Sequence, residues 1–157
     1  FKWSDQIHQE WIEALLRSRP DIVRAQLERT KTLMNTYALD AVVEGYEHRI
    51  DDLSLPDPND RHVLAAAIES CSQWIVTFNL KDFPSHVLSS FGITAIHPDD
   101  FILHLSNVSP LSVVSAAYEH RSSLKNPPKN VLDYLATLER QGLVQTVRTL
   151  RDYTTLL

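Results

Sequence analysis

Hydrophobic residues recur at helical spacing through the first third of the chain, condense into short apolar runs in the middle, and return to helical spacing towards the end. Ser4 followed by Asp5 makes a good helix start, and Ile7, Trp11, Ala14 and Leu15 predict a helix through about Ser18, ended by Pro20. A second helix is expected from Asp21 to about Tyr37, where Ile22, Leu27, Leu33 and Met34 punctuate a charged segment. Ala41 to Glu44 is a short strand candidate. Leu55 to Asp60 (LPDPND) leads into HVLAAAIESC, an alanine-rich helix that is apolar on several sides and therefore expected in the core. Trp74 to Asn79 and Ile93 to Ile96 have the length and β-branched content of strands. Helices alternating with short apolar strands predict an α/β fold with a parallel sheet covered on both faces. From Pro98 onward only helices are expected, at 98–105, 110–124, 129–141 and 144–153, the last two forming an αα unit after the Asn126-Pro127-Pro128 break.

Composition narrows the class. At 157 residues the chain has room for one core and a smaller helical piece. No apolar run approaches the length that crosses a bilayer, so a membrane role is not expected. Cys71 is the only cysteine; among Ala65, Ala66, Ala67 and Ile68 it reads as a small buried residue without a disulfide partner, which fits a reducing, cytoplasmic setting. The net charge of −5 argues against a general electrostatic DNA binder. That average hides a split: residues 1–118 hold 9 basic against 16 acidic side chains, whereas 119–157 hold 6 against 4. Acidity is concentrated in the α/β part.

The densest chemical signal is DPND (Asp57 to Asp60), followed about twenty residues later by TFNLKD (Thr77 to Asp82). Carboxylates and an amide recur there at a helix start and just past a strand end, where open parallel sheets place ligand sites. Each motif also has a plain structural account. Asp57 can cap the helix, Pro58 suits its first turn, and Asp60 complements the helix dipole; Asn79 and Asp82 can be turn formers before Pro84. Glu10 lies at the border of the apolar face of the first helix, either aimed into a cleft or solvated. Several carboxylates in one cleft repel unless hard cations such as Mg²⁺ or Mn²⁺ hold them together, and such ions suit hydrolysis of a phosphodiester. Zinc fits less well, because the histidines form no short ligand pattern.

Four segments, SDQIHQEW (Ser4 to Trp11), LPDPNDRHVLAAAI (Leu55 to Ile68), IVTFNLKDFP (Ile75 to Pro84) and IHPDDF (Ile96 to Phe101), together resemble bacterial PIN-domain proteins of the VapC toxin type, in particular those with a helical C-terminal extension. The resemblance covers nearly the whole chain. It implies a three-layer α/β/α PIN-like fold over 1–105 with an all-α appendage over 106–157. It further implies a Mg²⁺- or Mn²⁺-dependent endoribonuclease acting on RNA and restrained by a cognate antitoxin. Carried over residue by residue, it makes Glu10, Asp60 and Asp82 metal ligands. Asn79 stands where many relatives have an aspartate and is left to contact water or phosphate. Asp57 becomes a supporting or capping carboxylate, and Thr77 orients the loop. The pattern departs at the start: Phe1 to Trp3 matches the second strand of such a fold. The expectation is therefore that a first, central βα unit of roughly thirty residues is missing from this chain. Either another segment would fill its place or the packing would be rearranged, and the fragment would be impaired as a nuclease.

Other residues admit less specific readings. His8, His62, His97 and His104 are expected as packed or surface histidines rather than general bases. Arg61 and Lys81 suit either solvent or RNA phosphates. Trp3, Trp11 and Trp74 are expected as core aromatics. Arg140, Arg148 and Arg151 give the last helices a basic surface suited to RNA guidance, antitoxin docking or a homodimer. The rival to the nuclease is a non-catalytic remnant that binds an antitoxin or nucleic acid.

Overall fold

The computed structural model describes residues Phe1–Leu157. It is mostly helical with one small two-stranded parallel sheet, compatible with an α/β fold. The chain divides into two compact units, Phe1–Ile75 with Asn79–Ala95, and Val76–Phe78 with Ile96–Leu157.

In the first unit, Ser4 caps α1 (Asp5–Ser18) by accepting a hydrogen bond from the Ile7 N–H. Asp5 adds acidity in the first turn. Helix α2 (Arg24–Tyr37) begins three residues later than its apolar pattern suggests, because Asp21 pairs with Arg19 in the connection instead of opening the helix. The strand expected at 41–44 is reduced to an isolated parallel bridge between Trp3 and Val42. Trp3 N–H donates to Ala41 O and Val43 N–H to Trp3 O, both at 2.8 Å. Pairing stops there because Ser4 already turns the chain into α1.

Helix α3 (Arg61–Glu69) is the centre of this unit's core. Leu64, Ala65, Ala66 and Ala67 are all buried, and they pack with Val43, Leu53, Leu55, Ile75, Phe83, Leu88 and Ile93. Small alanines let neighbouring segments approach the helix from several sides. Cys71, expected to be buried, is exposed. Helix α3 has already ended at Glu69, and Cys71 takes a left-handed φ of 51° to close the helix, with its N–H on Ile68 O and the Ser72 N–H on Ala67 O. After the end of α3 come strand β1 (Trp74–Val76), the short helix α4 (Ser85–Leu88) and strand β2 (Thr94–Ile96). Both strands are shorter than their apolar runs. Parallel pairing is carried by Thr94 N–H to Gln73 O (2.9 Å) and Thr77 N–H to Ile96 O (3.0 Å).

The second unit holds α5 (Pro98–Val108), α6 (Pro110–Ser123), α7 (Val131–Arg140) and α8 (Val144–Arg151), close to their expected positions. Helices α7 and α8 pack together as the expected αα unit, and α5 packs on both α6 and α8. Gly142 makes the α7–α8 turn in the left-handed region (φ 87°), where a side chain would be strained. The core comprises Val114, Ala117, Tyr134, Leu135, Leu138, Val147, Leu150 and Leu157. None of the helices in the chain is long and apolar enough to cross a membrane.

Asp99 is a buried carboxylate in this unit, 4% exposed. It sits in the first turn of α5 and reaches the start of α8, accepting from Gln145 N–H, Thr146 N–H and Thr146 Oγ1 at 2.7–2.8 Å. Helix α8 has no capping side chain of its own, so Asp99 satisfies its free N–H groups from 46 residues away. Burial pushes the Asp99 pKa up, but the Thr146 and Gln145 backbone bonds and the Thr146 hydroxyl outweigh it and hold the value below that of an ordinary aspartate. The folded state thus favours the ionised form. Asp99 contributes stability that is present above the unfolded aspartate pKa and lost as pH falls through the lowered folded value. Asp99→Ala is expected to cost about 2–4 kcal/mol in urea unfolding at neutral pH, and the difference from the parent should shrink on acidification.

Candidate functional site

Three carboxylates of the first unit meet around the start of α3. Asp57 opens the short 3₁₀ turn Pro58–Asp60, accepting from the Asn59 N–H at 2.9 Å, and Pro58 occupies the first helical position. The capping role expected of Asp57 is thus real. Asp60 stands at the N-cap position of α3, yet its side chain makes no capping hydrogen bond. Its carboxylate is not used to hold the helix. Asp82 arrives from the turn Leu80–Asp82 that follows β1, and the Asn79 side-chain amide donates to its Oδ2. The ligand oxygens of Asp57, Asp60 and Asp82 all lie within 4.8 Å of one another, and each residue is partly buried.

Repulsion is built into this arrangement. Burial raises the Asp60 pKa first, and the charges of Asp57, Asp82 and Glu10 raise it further, against a smaller opposing effect of His62. An all-oxygen set of clustered carboxylates fits a hard divalent cation, which relieves the repulsion and accepts oxygen ligands. Arg61 is used locally, its Nε donating to Pro58 O at 2.9 Å and bracing the turn. Lys81 is exposed beside Asp82.

Glu10 stands apart from the three clustered carboxylates. Its side chain is 49% exposed on α1, and its Oε1 lies 2.7 Å from Nε2 of His62, which is 1% exposed. The contact is close but out of line for a hydrogen bond, and neither His62 ring nitrogen has a hydrogen-bond partner. His8 differs: it is buried and fully partnered. Its Nε2 meets Asn35 Oδ1 at 3.0 Å, its Nδ1 accepts from Trp11 Nε1–H at 2.9 Å, and Asn35 Oδ1 also accepts from Trp3 Nε1–H at 2.8 Å. This network assigns the ring proton to Nε2 and makes His8 a structural residue. Trp3 and Trp11 are correspondingly only partly buried, each tied by its indole N–H. In the second unit His97 accepts from the Asp99 N–H at the start of α5, His104 is exposed, and Thr77 continues the strand pairing through its N–H.

Sequence reasoning therefore named the three carboxylates that meet, while assigning Asp57 a supporting place. It missed the contact between His62 and Glu10. The signal for it was His62 lying two residues beyond Asp60, at the head of a helix apolar on several sides, where a polar ring must turn inward.

The raised pKa of Asp60 has a consequence for stability. The folded state holds this proton more firmly than the unfolded chain, so the favourable contribution is present below the unfolded aspartate pKa and lost as pH rises through the folded value. In EDTA at neutral pH, Asp60→Asn is expected to unfold at a higher urea concentration than the parent, and the advantage should vanish in acid. Equal midpoints at neutral pH would show that neither burial nor the neighbouring carboxylates disfavour the Asp60 charge.

Two comparisons with known proteins found a match. Residues 98–152 match the family model described as the VapC50 C-terminal domain. The chain is 57% identical over 44 residues to "Putative ribonuclease VapC50" of Mycobacterium tuberculosis (strain ATCC 25618 / H37Rv), a match covering 28% of this chain and 26% of that protein. The chain thus spans about a quarter of the length of the curated relative it matches. No solved structure matches. The acidic cluster lies outside residues 98–152. Residues 98–152 are thus similar to the C-terminal domain of VapC50-type proteins.

Proposed function

We propose that this chain belongs to a metal-dependent endoribonuclease, the toxin of a toxin–antitoxin pair, that hydrolyses RNA phosphodiester bonds. The observation that carries the reading is the convergence of Asp57, Asp60 and Asp82 within 4.8 Å, with Asp60 free of any capping duty. The family match and the ribonuclease description of the relative support it. On this reading residues 1–105 form the PIN-like, three-layer nuclease part and 106–157 the helical extension. RNA is the substrate and a cognate antitoxin the restraining partner.

Mg²⁺ or Mn²⁺ suits the donors, since hard cations take carboxylate oxygens and the cluster offers no sulfur. Such an ion supplies Lewis acidity towards water and a phosphate oxygen. Asp60 and Asp82 would hold it together with Glu10 reaching in from α1, and Asp57 adds charge from beside them. Asn79 keeps Asp82 oriented through its amide and offers polar contact to a phosphate oxygen. Lys81, exposed next to Asp82, draws the RNA backbone by charge. Thr77 steadies the start of the same loop through its strand pairing.

The test is cleavage of single-stranded RNA by the full-length protein in Mg²⁺, Mn²⁺ or EDTA. Cleavage is expected with either ion and not in EDTA. Asp60→Asn and Asp82→Asn are each expected to lower the rate about 10²–10³-fold, the usual loss on removing one charge-stabilising group. Cleavage that persists in EDTA, or undiminished activity in Asp60→Asn, would count against the mechanism. Antitoxin binding without cleavage would favour a non-catalytic protein.

A further inference from the structure

His62 is 1% exposed, and both its ring nitrogens lack a hydrogen-bond partner. Buried polar atoms left in this way are uncommon and call for a reason. The ring is the second residue of α3, two positions after Asp60, and is followed by Leu64 and Ala65, which have no exposed surface. It is held firmly. Its Nε2 faces Glu10 Oε1 at 2.7 Å, while the Glu10 side chain is half exposed on α1 and free to turn. In such a pair the immobile partner decides where the mobile one rests, and a modest turn of the carboxylate brings it into line with an Nε2–H donor. Contacts of this kind are often misaligned in a site without its ligand and tighten when it binds.

We propose that His62 is a positioning residue that holds the Glu10 carboxylate at the Asp57–Asp60–Asp82 cluster, so that cation affinity depends on a buried ring that does not itself touch the ion. The inference rests on the metal-site reading above and adds to it a partner for Glu10. Groups that orient metal-binding carboxylates from behind typically change metal affinity about 10–100-fold when removed. The geometry accounts for a buried imidazole whose Nε2 is unmet and for a half-exposed glutamate resting on it.

The experiment is calorimetric titration of Mn²⁺ into the full chain, with metal-free melting recorded for every variant. His62→Leu is expected to weaken Mn²⁺ binding about 10–100-fold while melting at the parent temperature or above, because an apolar side chain removes the unmet nitrogens. A merely structural histidine would lower both together. His62→Gln, whose amide reaches as far as Nε2, should bind close to the parent, whereas His62→Asn, which stops short, should weaken like His62→Leu. This polar pair keeps the test valid should the leucine variant fail to fold. Glu10→Gln should weaken binding alone and make no further difference in the His62→Leu background, the mark of a coupled pair. Parent-like affinity in His62→Leu or His62→Asn overturns the positioning role and leaves the metal site standing. Absence of Mn²⁺ binding by the parent chain overturns the metal-site reading and this inference with it.

Discussion

The nearly complete burial of α3 is the constraint on which the first unit depends. Leu64 and Ala65 have no exposed surface, and Ala66 and Ala67 little, so the helix has no freedom to roll about its axis without opening voids. A helix that cannot roll fixes the direction of every residue at its head, at about 100° per residue. Asp60 and His62 are therefore held in place by apolar packing several residues away. Pro58 and the Asp57 cap set the entry of the chain from the other side. The carboxylates meet because the helix behind them is immobile.

That rigidity carries an electrostatic cost. Burial first, and then the neighbouring carboxylates, disfavour ionisation of Asp60, which carries this as a raised pKa. Ordinary surfaces avoid such a cost by spreading charge or pairing it, as the first unit does elsewhere with Lys31 on Asp5 and Arg49 on Glu69. No ion pair of this kind reaches Asp57, Asp60 or Asp82 among those formed. Destabilised charge concentrated at one place, in a unit that neutralises charge at others, is the usual signature of a functional site.

The second unit deals with a buried carboxylate in the opposite way. Asp99 is more deeply buried than Asp60, yet three hydrogen-bond donors favour its charged form and its pKa falls. Its role is to tie α5 to α8, which lacks a cap of its own. Arg121 makes comparable long-range ties, donating to Leu157 O and Lys129 O from α6. The two aspartates show that burial alone does not set the direction of a shift; the neighbouring dipoles and charges decide it.

Much of this was legible in the residues. Periodicity placed all the long helices, because 3.6-residue spacing and caps such as Ser4, Pro98, Pro110 and Gly142 act locally. The DPND and TFNLKD motifs marked Asp57, Asp60 and Asp82 for the same reason. Strand length was less legible: Ala41 to Glu44 has an apolar strand pattern, but a strand needs a partner of equal length, and Trp3 offers one residue before α1 begins. Cys71 was misplaced because its neighbours are apolar, whereas its exposure follows from where α3 stops. Only tertiary structure showed that Asp60 caps nothing, that His62 meets Glu10 across 52 positions of sequence, and that Asp99 caps α8. Local chemistry decides whether a helix forms and where it ends; which side chains then face each other depends on how whole elements pack, and no spacing within one element records that.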